Sequence, residues 1–255
     1  MWKLVYGSVR GTSHVQSGQP CQDHCAGSIV GTQIVAACSD GAGSAELSHL
    51  GSRCAVERFV EEATRSIGEA APQREAVKGW VDAVRTSVLE EASAQGVPPR
   101  QLACTLLGAI AGDDWTAFVQ IGDGVIVFDG EAEYELAFWP DNGEYANTTR
   151  FLTEEDYLAH LRIEIMPRPV GEIALLTDGL QMLALDFVQA RVHGPFFAPL
   201  FRAVRNGPDE VTLRASLLGF LDSRRVNDRT DDDKTLLLAT RSNSDGPACL
   251  SDPIA

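Results

Sequence analysis

Three apolar runs in this chain end in Asp-Gly: IVAACSDG at Asp40, TAFVQIGDG at Asp123 and EIALLTDG at Asp178. A fourth acidic cluster, DDDKT, opens the last apolar run, LLLAT. Runs of this length rich in Val, Ile and Leu read as buried strands. Their carboxylates then stand at strand ends, held by rigid backbone at a sheet rim that a hard cation can reach. Several carboxylates without accompanying histidines make the oxygen-only donor set that magnesium and manganese prefer. Asp-Gly also forms type I′ hairpin turns. That reading suits Asp129-Gly130, which lies between strand-like IVF and YELAF, and it leaves Asp123 open between a ligand and a plain hairpin. It suits Asp40 and Asp178 poorly, because helix-like segments follow them. Asp245-Gly246 falls in a polar tail and reads as a turn.

A chain of 255 residues with 44% apolar content is globular and long enough for a sizeable core. Its formal net charge is −15, from 36 acidic and 21 basic residues. Nucleic acid is a poor partner for such a surface, because phosphate binding relies on Lys and Arg. A phosphorylated substrate would also be repelled unless bound cations inverted the field at the site. No apolar stretch is long enough to span a bilayer. The opening MWKLVYGSVRG lacks a signal-peptide core and cleavage site, so a cytoplasmic location with no membrane partner is expected. The six cysteines show no paired CxxC spacing. Reduced thiols are expected in that compartment, and Cys38, Cys54 and Cys104 sit in apolar stretches as small core residues. Zinc at Cys21, Cys25 and a distant partner is the minor alternative.

Elements must position the acidic residues. Strand-like WKLVYGSV is followed by a polar stretch, RGTSHVQSGQPCQD, and then by a hairpin of CAGSIV and TQIVAACS. After Gly43 the period changes. Leu47, Leu50 and Cys54, then Ala55, Phe59, Ala63 and Ile67, recur every three to four residues, as in an amphipathic helix. Pro72 separates it from a second helix with Val77, Val81, Val84, Val88 and Ala92 on one face, which Gly96 and Pro98-Pro99 terminate. From Leu102 to Phe138 the pattern suggests consecutive antiparallel hairpins. Residues 140–170 are irregular and polar, and their length predicts a mobile lid beside the acidic cluster. EIALLT, helices near 195–206 and 208–222, and TLLLAT complete the pattern. The first and last strands both deliver acidic residues, so one domain over residues 1–241 is expected, with 242–255 as a disordered tail. Helices gathered in two blocks, without regular strand–helix alternation, predict an α+β fold.

The order of Gln22-Asp23, SDGAGS at Ser39–Ser44, CTLLGA near Thr105, GDG at Asp123, TDGL at Asp178 and DDKT at Asp232 resembles the type 2C metal-dependent protein phosphatases, the PPM family. The similarity spans about residues 7–240 and is closest to a bacterial branch, with GTSH before Gln22 and GEYAN at Gly143–Asn147. The resemblance implies a central β-sandwich of two antiparallel sheets flanked by helices on both faces. It implies two Mn2+ or Mg2+ ions, with Asp40 bridging them and the Gly41 carbonyl on one. Asp178 and Asp232 would bind the other ion, Asp23 would support the site through bound water, and Asp123 with Asp178 would hold a weaker third ion. Two such cations acidify a shared water into hydroxide, which attacks phosphorus in line while the charge on the phosphoryl oxygens is neutralised.

Departures from the family pattern also matter. Gln22 stands where many members carry an acid, and Ala42 stands where eukaryotic members place a histidine as general acid. The phosphate-gripping arginine expected a few residues before Gln22 is absent. Arg10 for phosphate and His14 for catalysis are the nearby replacements, with an exposed loop histidine as the plain alternative for His14. In DDDKT the family pattern selects Asp232, while Asp231 reads as a solvated turn. The implied activity is hydrolysis of phosphoserine and phosphothreonine in a phosphoprotein. A catalytically silent binding module and a phosphatase of a small phosphorylated metabolite are the competing functions.

Overall fold

The computed structural model describes residues 1–140 and 149–242. Strand β1 (Trp2–Val9) leads through a short helix α1 (Thr12–Ser17) to the hairpin of β2 (His24–Val30) and β3 (Gln33–Ser39). Two long helices follow, α2 (Ser48–Ser66) and α3 (Arg74–Ala94), then strands β4 (Leu106–Ala111), β5 (Thr116–Ile121), β6 (Val125–Asp129) and β7 (Tyr134–Leu136). Helix α4 (Tyr157–His160) precedes β8 (Arg162–Met166) and β9 (Glu172–Leu176). The chain then forms α5 (Gln181–Ala184), a small hairpin of β10 (Leu185–Asp186) and β11 (Arg191–Val192), and helices α6 (Gly194–Asn206), α7 (Glu210–Leu221) and α8 (Arg224–Asn227). Strand β12 (Lys234–Arg241) returns beside β1.

The strands make two five-stranded antiparallel sheets, in the orders β1-β12-β9-β6-β7 and β2-β3-β4-β5-β8. Their apolar runs are continuous because both faces of each sheet are covered. In β3, Ile34, Ala36 and Cys38 face the space between the sheets, with Leu107, Phe118, Ile126, Ile173 and Leu237. The alternate residues Val35 and Ala37 face outward under Phe59 of α2 and Val81 and Val84 of α3. On the other sheet, Val127, Leu176 and Leu236 pack beneath Phe197 and Phe201 of α6 and Leu217 and Leu221 of α7. The expected helix-flanked β-sandwich is therefore present, with one core between the sheets and one under each helix pair.

Antiparallel register also gathers the chemistry at one end. His24 pairs with Ser39, and Leu176 pairs with both Leu236 and Val125. The starts of β2, β6 and β12 thus lie at the same end as the finishes of β3 and β9.

Several sequence expectations are corrected. The polar stretch after β1 contains helix α1, whose Gly18 end adopts a left-handed conformation at φ 74°. The run from Leu102 does not start as a strand, because Pro99–Leu102 form a 3-10 turn and β4 begins only at Leu106. Strands β5 and β6 are not a hairpin, because the chain crosses between the sheets at Gly122–Gly124. Asp129-Gly130 opens a four-residue loop closed by the Gly130 N–H to the Glu133 carbonyl (2.9 Å), longer than a type I′ turn. Residues 140–170 are not irregular throughout, since β8 pairs with β5 from Met166 to Arg162. Residues 141–148, with Tyr145 and Asn147, and most of the proposed tail lie outside the described residues.

Candidate active site

One carboxylate oxygen each from Asp40, Asp123 and Asp178 lies within 4.8 Å of the others. Asp40 follows β3 directly, and Thr105 brackets it. The Asp40 N–H donates to Thr105 Oγ1 (2.9 Å), and the Thr105 N–H donates to the Asp40 carbonyl (2.8 Å). Asp123 sits in the crossing between sheets, where Gly122 adopts φ 101°. The Gln120 side chain staples that crossing by donating to the Gly122 (3.0 Å) and Gly124 (2.9 Å) carbonyls. Asp178 follows β9, and three residues later Gln181 donates to the Asp123 carbonyl.

The glycine after each of two aspartates has a packing reason. A side chain at Gly41 would meet the Gln22 carbonyl at 2.7 Å, and one at Gly179 would collide with the Asp233 carbonyl. These Asp-Gly pairs are junctions at which another acidic segment presses against the backbone.

The remaining candidates surround this trio. Asp23 is 6% exposed and accepts a hydrogen bond from Thr177 Oγ1 at 2.7 Å. Asp232 lies outside the tight trio, at the exposed rim, yet its charge is felt by both Asp40 and Asp178. Its neighbour Asp233, which sequence reading passed over, is 2% exposed and points the other way. It accepts the backbone N–H groups of Gly11 (2.6 Å) and Gln22 (2.5 Å), and it lies 3.0 Å from His14 Nδ1. Asp233 thereby ties β12 to the whole segment that carries Arg10, His14 and Asp23. His14 is only 9% exposed, which removes the exposed-loop alternative. Arg10 is exposed and donates to the Gln19 carbonyl at 3.2 Å. The alternation of side chains along an extended chain was the signal for Asp233, since it and Asp232 must face opposite ways.

Negative charge accumulates in this cluster. Burial, then the charges of Asp123, Asp232 and Asp23, pushes Asp178 up to about 7. Burial also pushes Asp23 up to about 7, against the opposing hydrogen bond from Thr177. Asp40 is raised well above the ordinary carboxylate range by burial and by Asp23 and Asp178. The Asp123 Oδ2 accepts from Thr149 Oγ1 (2.6 Å), whereas its Oδ1 is buried without a hydrogen-bond partner. The Gln22 Oε1 is likewise buried and unpartnered. Converging oxygens, mutual repulsion and an orphaned acceptor fit a hard divalent cation. No cysteine belongs to a possible ion-holding group among the described residues, which weakens the zinc alternative. A second grouping, Glu154, Asp156 and His160, lies on the outside around α4, where Arg150 and His160 already pair with its carboxylates.

The fold is thus a helix-flanked β-sandwich that carries a carboxylate cluster suited to a hard cation at one end. A family model described as Protein phosphatase 2C matches residues 10–222. Serine/threonine-protein phosphatase 3 of Escherichia coli (strain K12) is 37% identical over 247 residues, which cover 93% of this chain and 98% of that protein. The serine/threonine phosphatase of S. agalactiae has the same fold, with TM-score 0.66 at 12% identity, over 95% of this chain and 100% of that one. The catalytic domain of the phosphatase PstP, solved with two manganese ions, gives TM-score 0.61 at 15% identity, over 94% and 99%. The chain belongs to the protein phosphatase 2C family and is a phosphoprotein phosphatase. No helix among the described residues is long and apolar enough to cross a membrane.

Proposed function

We propose that this chain hydrolyses phosphoserine and phosphothreonine in cytoplasmic phosphoproteins, with Mn2+ or Mg2+ held by Asp40, the Gly41 carbonyl, Asp178 and Asp232. Asp23 supports the pair, and Asp123 shares a weaker third ion with Asp178. The carrying observation is the convergence of Asp40, Asp123 and Asp178 from three separate strand ends. The Escherichia coli relative is named for serine and threonine. PstP was solved with manganese and RsbX with magnesium, which supports that choice of ions. Such cations supply Lewis acidity for attack by water and neutralise phosphoryl charge.

The chain's own groups do the rest. Asp40 and Asp178 hold the reacting phosphate's counter-charges on rigid strand ends. His14, oriented by Asp233, gives a proton to the departing serine or threonine oxygen. Arg10 grips the phosphate dianion from the side away from the cations. Residues 1–241 act as one catalytic unit. The intact carboxylate set opposes a silent binding module, because unpaired buried charges carry a stability cost that a non-catalytic fold has no reason to keep.

Hydrolysis of a phosphoserine peptide and of p-nitrophenyl phosphate, with manganese, magnesium or chelator, tests the proposal. Activity should require the ion and be lost in Asp40→Asn. Full turnover in chelator, or in Asp40→Asn, would overturn it. Turnover of small phosphates without any phosphopeptide would favour the metabolite reading instead.

A further inference from the structure

We infer that Thr177 is a positioning residue for the cation site, its hydroxyl aiming the Asp23 carboxylate by a forced hydrogen-bond direction. Thr177 is 1% exposed and stands between the end of β9 and Asp178. Its Oγ1 accepts the buried Thr235 N–H at 3.1 Å. A backbone N–H can only donate, so the Thr177 proton must point elsewhere, and Asp23 Oδ2 lies 2.7 Å away. That bond commits Oδ2 and fixes the direction of the carboxylate, whose charge acts on Asp40.

The frame behind the hydroxyl is itself held. The Thr235 side chain donates to Ser8 Oγ of β1 at 2.7 Å, and the Thr177 N–H donates to the Thr235 carbonyl at 3.3 Å. One hydroxyl thus joins the three segments that carry Asp23, Asp178 and Asp232. Partners that orient a ligand in this way commonly change metal affinity by about 10–100-fold when removed. The inference rests on the proposed role of Asp23, and the experiment separates the two.

Manganese binding by the full chain is measured by calorimetry for wild type, Thr177→Val and Thr177→Ser, each with and without Asp23→Asn. Valine keeps the shape but loses the hydroxyl, and serine keeps the hydroxyl. Thr177→Val should weaken manganese binding about tenfold, while Thr177→Ser stays within about twofold. In the Asp23→Asn background the valine substitution should cost no further affinity. Thr177→Val also leaves the Thr235 N–H unpaired, so the metal-free melting temperature should fall in both backgrounds, and this reports the structural part alone. Wild-type affinity in Thr177→Val, or an equal loss with and without Asp23, would overturn the positioning role. Failure of the wild-type chain to bind manganese would overturn the site assignment and this inference together.

Discussion

Replacing Asp178 by asparagine should make the metal-free protein more stable while abolishing its activity. The carboxyl of Asp178 is pushed from 3.8 up to about 7, first by burial and then by Asp123 and Asp232. A folded-state value above the unfolded one means that the folded protein holds the proton more tightly. The stability tied to this group is therefore fully present below about pH 4, and it is lost as pH rises through about 7. A rise of about three units is worth about 4 kcal/mol at about 1.4 kcal/mol per unit. Asp178 is only half-buried, and water at the open rim screens the repulsion, so about 2 kcal/mol is a fair expectation. Asparagine has nearly the same shape and no charge. For a domain of this size, about 2 kcal/mol moves the melting temperature by about 4–8 °C. Thermal melts in chelator should show that gain at pH 8 and a smaller one at pH 5, where Asp178 is already largely protonated. Saturating manganese should reverse the order, because only the wild type is stabilised by binding. An Asp178→Asn protein that melts lower than wild type in chelator at pH 8, or gains equally at pH 5 and pH 8, would refute the charge argument.

Asp233→Ala should cost about 3 kcal/mol or more in urea denaturation, because it strands the Gly11 and Gln22 N–H groups and removes two charge-assisted bonds. An unchanged denaturation midpoint would show that Asp233 is not the tie between β12 and the segment after β1. His14→Ala should lower kcat more for a phosphoserine peptide than for p-nitrophenyl phosphate, whose leaving group needs little protonation. Equal losses on the two substrates would exclude proton donation by His14.

The amino-acid sequence alone settled the matters that depend on local period and residue type. The three-to-four residue recurrence of Val77, Val81, Val84 and Val88 suffices for α3, because one helix face repeats whatever it packs against. The oxygen-only character at Asp40 and Asp178 was equally readable, since each closes an apolar run that a helix-like segment follows and no histidine accompanies them, whereas Asp123 stayed open between a ligand and a hairpin turn. Pairing was a different matter. IGDGVIVF has the local pattern of a hairpin, and only the competition between two sheets for β5 and β6 sends the chain across and places Asp123 opposite Asp40. The half-polar RIEIM alternates over only five residues, too short a stretch to be read alone as a strand, and β8 forms in pairing with β5. The sequence left His14 open between a catalytic group and an exposed loop histidine, because nothing within a few positions buries it. Its cover includes Asp233, 219 positions away, which reaches back to Gly11 and Gln22. Periodicity reports on neighbours in sequence, while sheet partnership and the burial of a polar side chain depend on contacts between distant segments. Tertiary structure alone decided those contacts.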